Sequence, residues 1–212
     1  MQSTARVRIK ICGLTRREDV CSVAHAGADA IGLVFYPRSP RFLSVTQAQT
    51  LAAAAPAFLT VTGLFLDARA EEVQRTLAAV RLDLLQFHGD EPPEFCRAFG
   101  RPYIKAIAMG ARPDLEECAR RYHDAAGLML DSHSAGGAGG TGATFDWRGV
   151  IAPAGMPLIL AGGLTAANVA EAIRCVWPYA VDVSSGVETA PGIKDRAKIM
   201  GFVHEVNRAA SA

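Results

Sequence analysis

The chain has 212 residues, of which 50% are hydrophobic, 20% charged and 7% aromatic, and its formal net charge at pH 7 is +1. This length suffices for one large domain with a substantial core, and the apolar content excludes a disordered chain. The balanced charge gives no field that would gather nucleic acid or an anionic membrane, and no apolar run is long enough to span a bilayer.

Short runs rich in β-branched residues alternate eight times with longer segments whose apolar residues recur every three or four positions. Nearly continuous apolar runs are typical of parallel strands that are buried on both faces. The predicted strands cover residues 7–12, 30–35, 59–66, 82–87, 103–108, 127–130, 157–161 and 180–183. The alternation predicts an α/β fold built on a parallel sheet.

The segments between the strands carry signals for helix starts and ends. Thr15 with Glu18 and Ser44 with Gln47 have the spacing of capping boxes, and Thr165 precedes a third helical segment. The remaining signals are Asp67, Pro92 and Pro113 near three helix starts, Gly27 and Gly100 at helix ends, and a last helix over 194–207.

Eight strand and helix units leave about 26 residues per unit, which suits a lean (β/α)8 TIM barrel. No Pro/Gly/Ser-rich linker divides the chain, so we expect a single barrel domain over residues 1–212, with residues 1–6 as a short polar tail. An open doubly wound sheet is the alternative. Eight units without a spare edge element favour closure.

The cysteine and histidine patterns argue against disulfides and metals. The five cysteines are scattered and never form a CxxC pair, and the five histidines show no HxxxH spacing. We therefore expect reduced thiols and no metal site. The first residues lack the apolar core and cleavage site of a signal peptide, so we expect a cytoplasmic protein.

Glycine and serine cluster after the predicted strands seven and eight. Loops at these places of a barrel frequently bind phosphate, because glycine lets backbone N–H groups approach an anion. The alternative is that these glycines only serve tight turns. The residues are Gly162 and Gly163 after strand seven, Ser184, Ser185 and Gly186 after strand eight, and a glycine-rich loop over 136–142 after strand six.

Cys12 and Asp131 stand at the C-terminal ends of predicted strands one and six, where barrel enzymes carry their working residues. A cysteine acts as a proton acceptor if a helix N-terminus or a cation lowers its pKa toward neutrality; otherwise it is a small buried hydrophobe. An aspartate beside apolar strand residues is suited to be a general acid, or it accepts N–H bonds in its loop.

Three further polar residues lie at strand ends. Arg41 is placed to grip a carboxylate, although it would equally serve as a solvated loop cation. His88 is placed to hold a ring oxygen or to pack beneath the rim, and Asp182 lies in the eighth strand. Position alone leaves these alternatives open.

Taken together, the strand ends resemble the phosphoribosylanthranilate isomerase family of tryptophan biosynthesis. The resemblance extends in order from residue 8 to about residue 205. It rests on KICGLT at 10–15, GLVFYPRSPR at 32–41, LQFHGDE at 85–91, MLDS at 129–132, GGTGATFDW at 139–147, LAGGL at 160–164 and VDVSSGVE with the following PG at 181–192.

The resemblance implies a single (β/α)8 barrel that performs an Amadori rearrangement and needs no cofactor. It implies that Cys12 is the general base at ribose C2 and Asp131 the general acid at the furanose ring oxygen. Arg41 would hold the anthranilate carboxylate, with Asp182 as an orienting residue nearby. The backbone amides implied for phosphate are those around Gly142, Gly162, Gly163, Ser185 and Gly186.

Two rival functions remain to be tested. A phosphosugar epimerase usually has a His and Asp metal set at its strand ends, which this sequence does not assemble. A silent phosphosugar-binding protein would be expected to lack Cys12 or Asp131, and both are present. The expected partner is a small phosphosugar, without nucleic acid or membrane, and the chain is expected to be a monomer or a homodimer.

Overall fold

The computed structural model describes residues 6–132 and 144–211. Eight parallel strands form a closed barrel in which each strand pairs with its neighbours in sequence and β8 pairs back with β1. The strands are β1 (Arg8–Cys12), β2 (Ala30–Val34), β3 (Thr60–Phe65), β4 (Leu84–Phe87), β5 (Tyr103–Ala108), β6 (Gly127–Asp131), β7 (Leu158–Leu160) and β8 (Ala180–Val183). The predicted (β/α)8 barrel is confirmed, and the open sheet is excluded.

Helices surround the barrel, with one exception in the described chain. They are α1 (Arg17–Ala26), α2 (Val45–Ala54), α3 (Ala70–Ala79), α4 (Pro93–Arg97), α5 (Leu115–Arg121), α6 (Val169–Val176) and α7 (Arg196–Ala210). In the sixth unit, the residues described between β6 and β7 contain a 3-10 turn (Trp147–Gly149) where a helix was expected. After β8, a 3-10 turn (Ser185–Val187) and two short antiparallel strands, β9 (Glu188–Ala190) and β10 (Ile193–Lys194), precede α7.

The helix boundary signals are confirmed in part. Ser44 caps α2: its hydroxyl accepts from the N–H of Gln47, and the side chain of Gln47 accepts from the N–H of Ser44. Gly27 ends α1 in the left-handed region at φ 82°. The last helix starts and ends later than predicted, and its start follows Asp195, which caps it.

The predicted caps Thr15 and Thr165 are wrong, because these residues form other hydrogen bonds. The helix α1 begins after Arg16, and the hydroxyl of Thr15 donates to the carbonyl of Gly192 in the hairpin before α7. The helix α6 begins after Asn168, whose side-chain oxygen accepts from the N–H of Thr165 at 2.8 Å. The contact between Thr15 and Gly192 is a tertiary contact that local spacing does not reveal.

The core has two parts. A large apolar cluster fills the layer between the strands and the helices. A smaller one, formed by Ile104, Ala106, Met129, Ile159, Ala161 and Ala180, fills the barrel interior on strands β5 to β8. Polar side chains of Lys10, Gln86 and Asp182 are also buried. Within the described residues, no helix combines the length and the hydropathy that crossing a membrane requires.

Candidate active site

One pocket lies at the C-terminal ends of the strands. It contains all five predicted catalytic and substrate-binding side chains, Cys12, Arg41, His88, Asp131 and Asp182. The other lining residues are Val34, Tyr36, Ser39, Leu64, Leu66, Gln86 and Ser184.

Cys12 ends β1 and is buried beside Gly32 of β2, its register partner. A Cβ atom on Gly32 would lie 2.6 Å from the Cys12 sulfur, so the glycine makes room for the thiol. Burial raises the pKa of the thiol, while the positive charges of Lys10 and Lys194 act in the opposite direction. Burial, together with the negative charge of Asp182, outweighs the two cations, so the pKa of Cys12 is raised overall and not lowered toward neutrality.

Lys10 shares the inward face of β1 with Cys12, two residues away. Its Nζ donates to Oδ1 of Asp182 at 2.8 Å, and both side chains are buried. Burial acts against the ammonium, but the negative charges of Asp182 and Cys12 outweigh it and raise the pKa of Lys10. Lys10 was not predicted as a site residue, although the two-residue period of a strand places it on the same face as Cys12.

Asp131 ends β6 and faces His88, which follows β4. The Nε2 atom of His88 lies 3.5 Å from Oδ2 of Asp131. The amide nitrogen of Gln86 lies 2.9 Å from His88 Nδ1. Because an amide NH2 only donates, Nδ1 accepts, and the neutral ring then carries its hydrogen on Nε2, toward Asp131. Gln86 was not predicted as a site residue, and it contacts the ring of His88 on the side away from Asp131.

Arg41 is buried in the site and makes a bidentate ion pair with Glu188. Its Nε and Nη2 atoms donate to the two carboxylate oxygens at 2.8 and 2.7 Å. The alternative of a solvated loop cation is wrong, since Arg41 is only 8% exposed. Its stem crosses Gly13, where a Cβ atom would lie 2.3 Å from Cδ of Arg41.

Lys194 of β10 completes this cluster. Its Nζ lies 2.7 Å from Glu188 Oε1 and donates to the carbonyl of Ser184 at 3.1 Å. Burial lowers the pKa of Lys194, against the attraction of Glu188. Burial also opposes ionisation of Glu188, but Arg41 and Lys194 together hold the pKa of Glu188 below its usual value. Glu188 and Lys194 were both missed, although Glu188 closes the VDVSSGVE motif.

Of the predicted phosphate-binding residues, Gly162, Gly163, Ser185 and Gly186 follow β7 and β8, and none of these four lines the pocket. Gly162 and Gly163 follow β7 with φ angles of 81° and 62°. Gly186 lies with Ser185 in the turn after β8, where a Cβ atom would come within 2.0 Å of the carbonyl oxygen of Leu164. The loops after β7 and β8 are therefore in close contact. Gly142 lies outside the described residues.

Metal ligation has no support in the part of the chain that the structure describes, which contains no group of three or more His, Cys, Asp or Glu side chains placed to hold an ion. The chemistry of the pocket is that of a buried thiol, a carboxyl group and a guanidinium. These groups suit proton transfer on a substrate that carries its own negative charge.

The family model of N-(5'-phosphoribosyl)anthranilate isomerase matches residues 9–205. The chain belongs to this family. It is 56% identical over 201 residues to the N-(5'-phosphoribosyl)anthranilate isomerase of Pseudomonas syringae pv. tomato, covering 95% of this chain and 98% of the relative.

Solved structures of the phosphoribosylanthranilate isomerase family share the barrel. The enzyme from Thermus thermophilus superposes with a TM-score of 0.82 at 34% identity, covering 94% of this chain and 98% of that one. A second family member, solved in complex with reduced 1-(o-carboxyphenylamino)-1-deoxyribulose 5-phosphate, superposes with a TM-score of 0.81 at 36% identity over the same shares.

Proposed function

We propose that the protein converts N-(5-phosphoribosyl)anthranilate into 1-(2-carboxyphenylamino)-1-deoxyribulose 5-phosphate in tryptophan biosynthesis. The observation that carries the proposal is the single pocket in which the thiol of Cys12, the carboxyl group of Asp131 and the guanidinium of Arg41 meet. Membership of the phosphoribosylanthranilate isomerase family supports the substrate.

Asp131 acts as the general acid in this proposal. It gives a proton to the furanose ring oxygen, the bond between that oxygen and C1 breaks, and the anthranilate nitrogen and C1 form an iminium. The Nε2 side of His88, at 3.5 Å, would stabilise the carboxylate that remains. A general acid of this kind contributes about 10²–10⁴-fold to the rate.

Cys12 acts as the general base. Its thiolate removes the proton from C2, which gives an enaminol that tautomerises to the ketone. C1 is reduced while C2 is oxidised, so the rearrangement needs no external electron acceptor. Between turnovers, Cys12 must lose a proton and Asp131 must regain one. The positive charges of Lys10 and Lys194 favour the thiolate.

Binding uses the two ends of the substrate. We assign the anthranilate carboxylate to Arg41, with Asp182 orienting the substrate nearby, and the phosphate to backbone amides around Gly142, Gly162, Gly163, Ser185 and Gly186. The contact between the loops after β7 and β8 supports the phosphate assignment, since it brings two glycine-rich turns together. The partner is then a small phosphosugar. The five free thiols support a reducing compartment, and we propose the cytoplasm.

The decisive assay follows the loss of phosphoribosylanthranilate fluorescence with purified protein and no added metal. We expect the wild type to consume the substrate, and Cys12→Ser and Asp131→Asn each to lower kcat by about 10²–10⁴-fold. The control is Cys175→Ser, an exposed cysteine in α6, which should retain the wild-type rate. Near-wild-type rates in both pocket variants would refute the mechanism.

The same preparation separates the rival functions. A phosphosugar epimerase would act on ribulose 5-phosphate when a divalent metal is added and would leave the fluorescence of phosphoribosylanthranilate unchanged. A silent binding protein would bind the substrate without turnover. We expect neither result.

A further inference from the structure

We infer that Glu188 is a positioning residue that presents one chosen edge of Arg41 to the carboxylate of the substrate. The inference rests on the proposed function, in which Arg41 binds that carboxylate. The inference goes beyond the proposed function because it assigns to the buried carboxylate of Glu188 the orientation of the Arg41 guanidinium.

Two of the three nitrogen atoms of the Arg41 guanidinium already donate to Glu188. Glu188 accepts from Nε and Nη2, which form the side edge of the guanidinium. No described residue accepts a hydrogen bond from Nη1. A guanidinium can grip a carboxylate through two parallel N–H bonds on either edge. With the side edge occupied, the substrate carboxylate meets the end edge formed by Nη1 and the second hydrogen of Nη2.

Glu188 is itself held in place by several donors. Its side chain is 5% exposed, and it accepts from Lys194 at 2.7 Å and from the N–H of Gly192 at 3.2 Å in addition to Arg41. Four donors thus fix both oxygens of one carboxylate. A carboxylate held by several hydrogen bonds has a fixed orientation, and it restricts the orientation of the side chain that binds it. Glu188 is therefore suited to orient Arg41.

Two buried cations, Arg41 and Lys194, face the single carboxylate of Glu188, whereas Lys10 is matched by Asp182. The cluster around Glu188 therefore carries a surplus of one positive charge. That surplus matches one carboxylate on a ligand. Glu188 therefore leaves enough charge to attract the substrate carboxylate while preventing it from being drawn between Arg41 and Lys194.

The test compares two ligands that differ only in the carboxylate. Reductive amination of ribose 5-phosphate with anthranilate gives N-(5-phosphoribityl)anthranilate, and with aniline gives N-(5-phosphoribityl)aniline. The ratio of their dissociation constants reports the contribution of the carboxylate, because both ligands carry the same phosphate. We expect the wild type to bind the anthranilate ligand more tightly.

Two variants of Glu188 separate geometry from charge. Glu188→Gln keeps the shape and removes the charge, whereas Glu188→Asp keeps the charge and shortens the reach. If Glu188 positions Arg41, both variants lower the carboxylate preference about tenfold or more and raise KM more than they lower kcat, while affinity for the aniline ligand is unchanged. If Glu188 only balances charge, Glu188→Gln raises the preference and Glu188→Asp leaves it unchanged, which would overturn the inference.

Controls make a failure of either proposal recognisable. Arg41→Lys should abolish the carboxylate preference. Glu205 forms an ion pair with Arg208 on the exposed surface, and Glu205→Gln should leave the preference unchanged. Binding of the aniline ligand reports a folded site, and Glu188→Asp decides the matter if Glu188→Gln does not fold. A wild type that consumes phosphoribosylanthranilate while both Glu188 variants keep its preference contradicts only the positioning role. A wild type without turnover contradicts the proposed function.

Discussion

Cys12 has to lose a proton in a site where burial opposes its ionisation. The thiolate form is helped by Lys10, which lies on the same strand face and is itself held by Asp182 at 2.8 Å. Lys10 therefore acts on the charge state of Cys12 although it is not among the residues that line the pocket. This explains why a strand that ends in a catalytic thiol contains a buried lysine two residues earlier.

The pH dependence of the reaction follows from these charges. The pKa of Cys12 is raised, and the thiolate is the active form, so kcat/KM rises with pH and its ascending limb lies above the ordinary thiol pKa of about 8.5. Lys10→Met removes a charge that lowers this pKa. We expect the limb to move to higher pH and kcat/KM at neutral pH to fall about tenfold for each pH unit of displacement.

The control for Lys10→Met is Arg8→Met, which removes an exposed cation at the opposite end of the same strand. Its pH profile should match that of the wild type. Thermal unfolding is measured in parallel, because Lys10→Met leaves Asp182 without its ion-pair partner, at a cost of about 3–5 kcal/mol in folding free energy. A limb that stays in place or moves to lower pH contradicts the role of Lys10.

At the scale of elements, the loops after β7 and β8 depend on glycine for their contact. A side chain at Gly186 would meet the carbonyl oxygen of Leu164, a backbone atom that cannot rotate away. A side chain at Gly162 would lie within 2.5 Å of the N–H nitrogen of Ser132. Residues at the ends of β6, β7 and β8 thus approach one another closely through their backbones, which leaves amide groups near one another.

Gly186→Ala should therefore separate the two loops. We expect KM for phosphoribosylanthranilate to rise about tenfold or more and inhibition by inorganic phosphate to weaken, because the amides lose their common geometry. Steady-state kinetics at several phosphate concentrations measure both effects. Unchanged phosphate inhibition would count against the phosphate assignment.

Gly201→Ala is the matched control. Gly201 lies within α7, and a Cβ atom there would meet nothing within 4 Å. The substitution should leave KM unchanged. It should raise the free energy of unfolding by about 0.5–1 kcal/mol, because alanine loses less backbone entropy in a helix.

At the scale of the whole molecule, closure of the barrel depends on the pairing of β1 with β8 and on the helix that follows. The helix α7 packs on α1 and α6, the two helices on either side of that junction. It buries Ile199, Phe202, Val203, Val206 and Ala209. The last helix therefore covers the place where the two ends of the sheet meet.

Phe202→Ala should destabilise the whole barrel. Phe202 is fully buried, and its truncation should lower the free energy of unfolding by about 3–5 kcal/mol. Urea unfolding measures this change, with the slope of the transition expected to remain constant. Met200→Ala, at an exposed position of the same helix, should change the free energy by no more than about 0.5 kcal/mol. Equal effects of the two substitutions would contradict this role of α7.

Local patterns were enough to predict the barrel and the members of its pocket. Apolar runs of four to eight residues are formed by neighbours in sequence, and the polar residue that ends each run lies at the mouth because parallel strands end at one edge. Cys12 and Asp131 were found in this way. Position left the role of His88 open, and the roles of Arg41 and Asp182 followed from the family resemblance. All five line one pocket. The Ser44 cap was equally local, since its partner is three residues away.

The partners of these side chains were decided by the tertiary structure. Arg41 and Glu188 are 147 residues apart, and Lys10 and Asp182 are 172 apart, so only barrel closure brings them within hydrogen-bond distance. The predicted Thr15 cap failed because its hydroxyl meets Gly192 across the same junction. The raised pKa of Cys12 also depends on burial by several strands. The sequence by itself therefore determined which residues reach the pocket, and the closed barrel determined which charges face one another there.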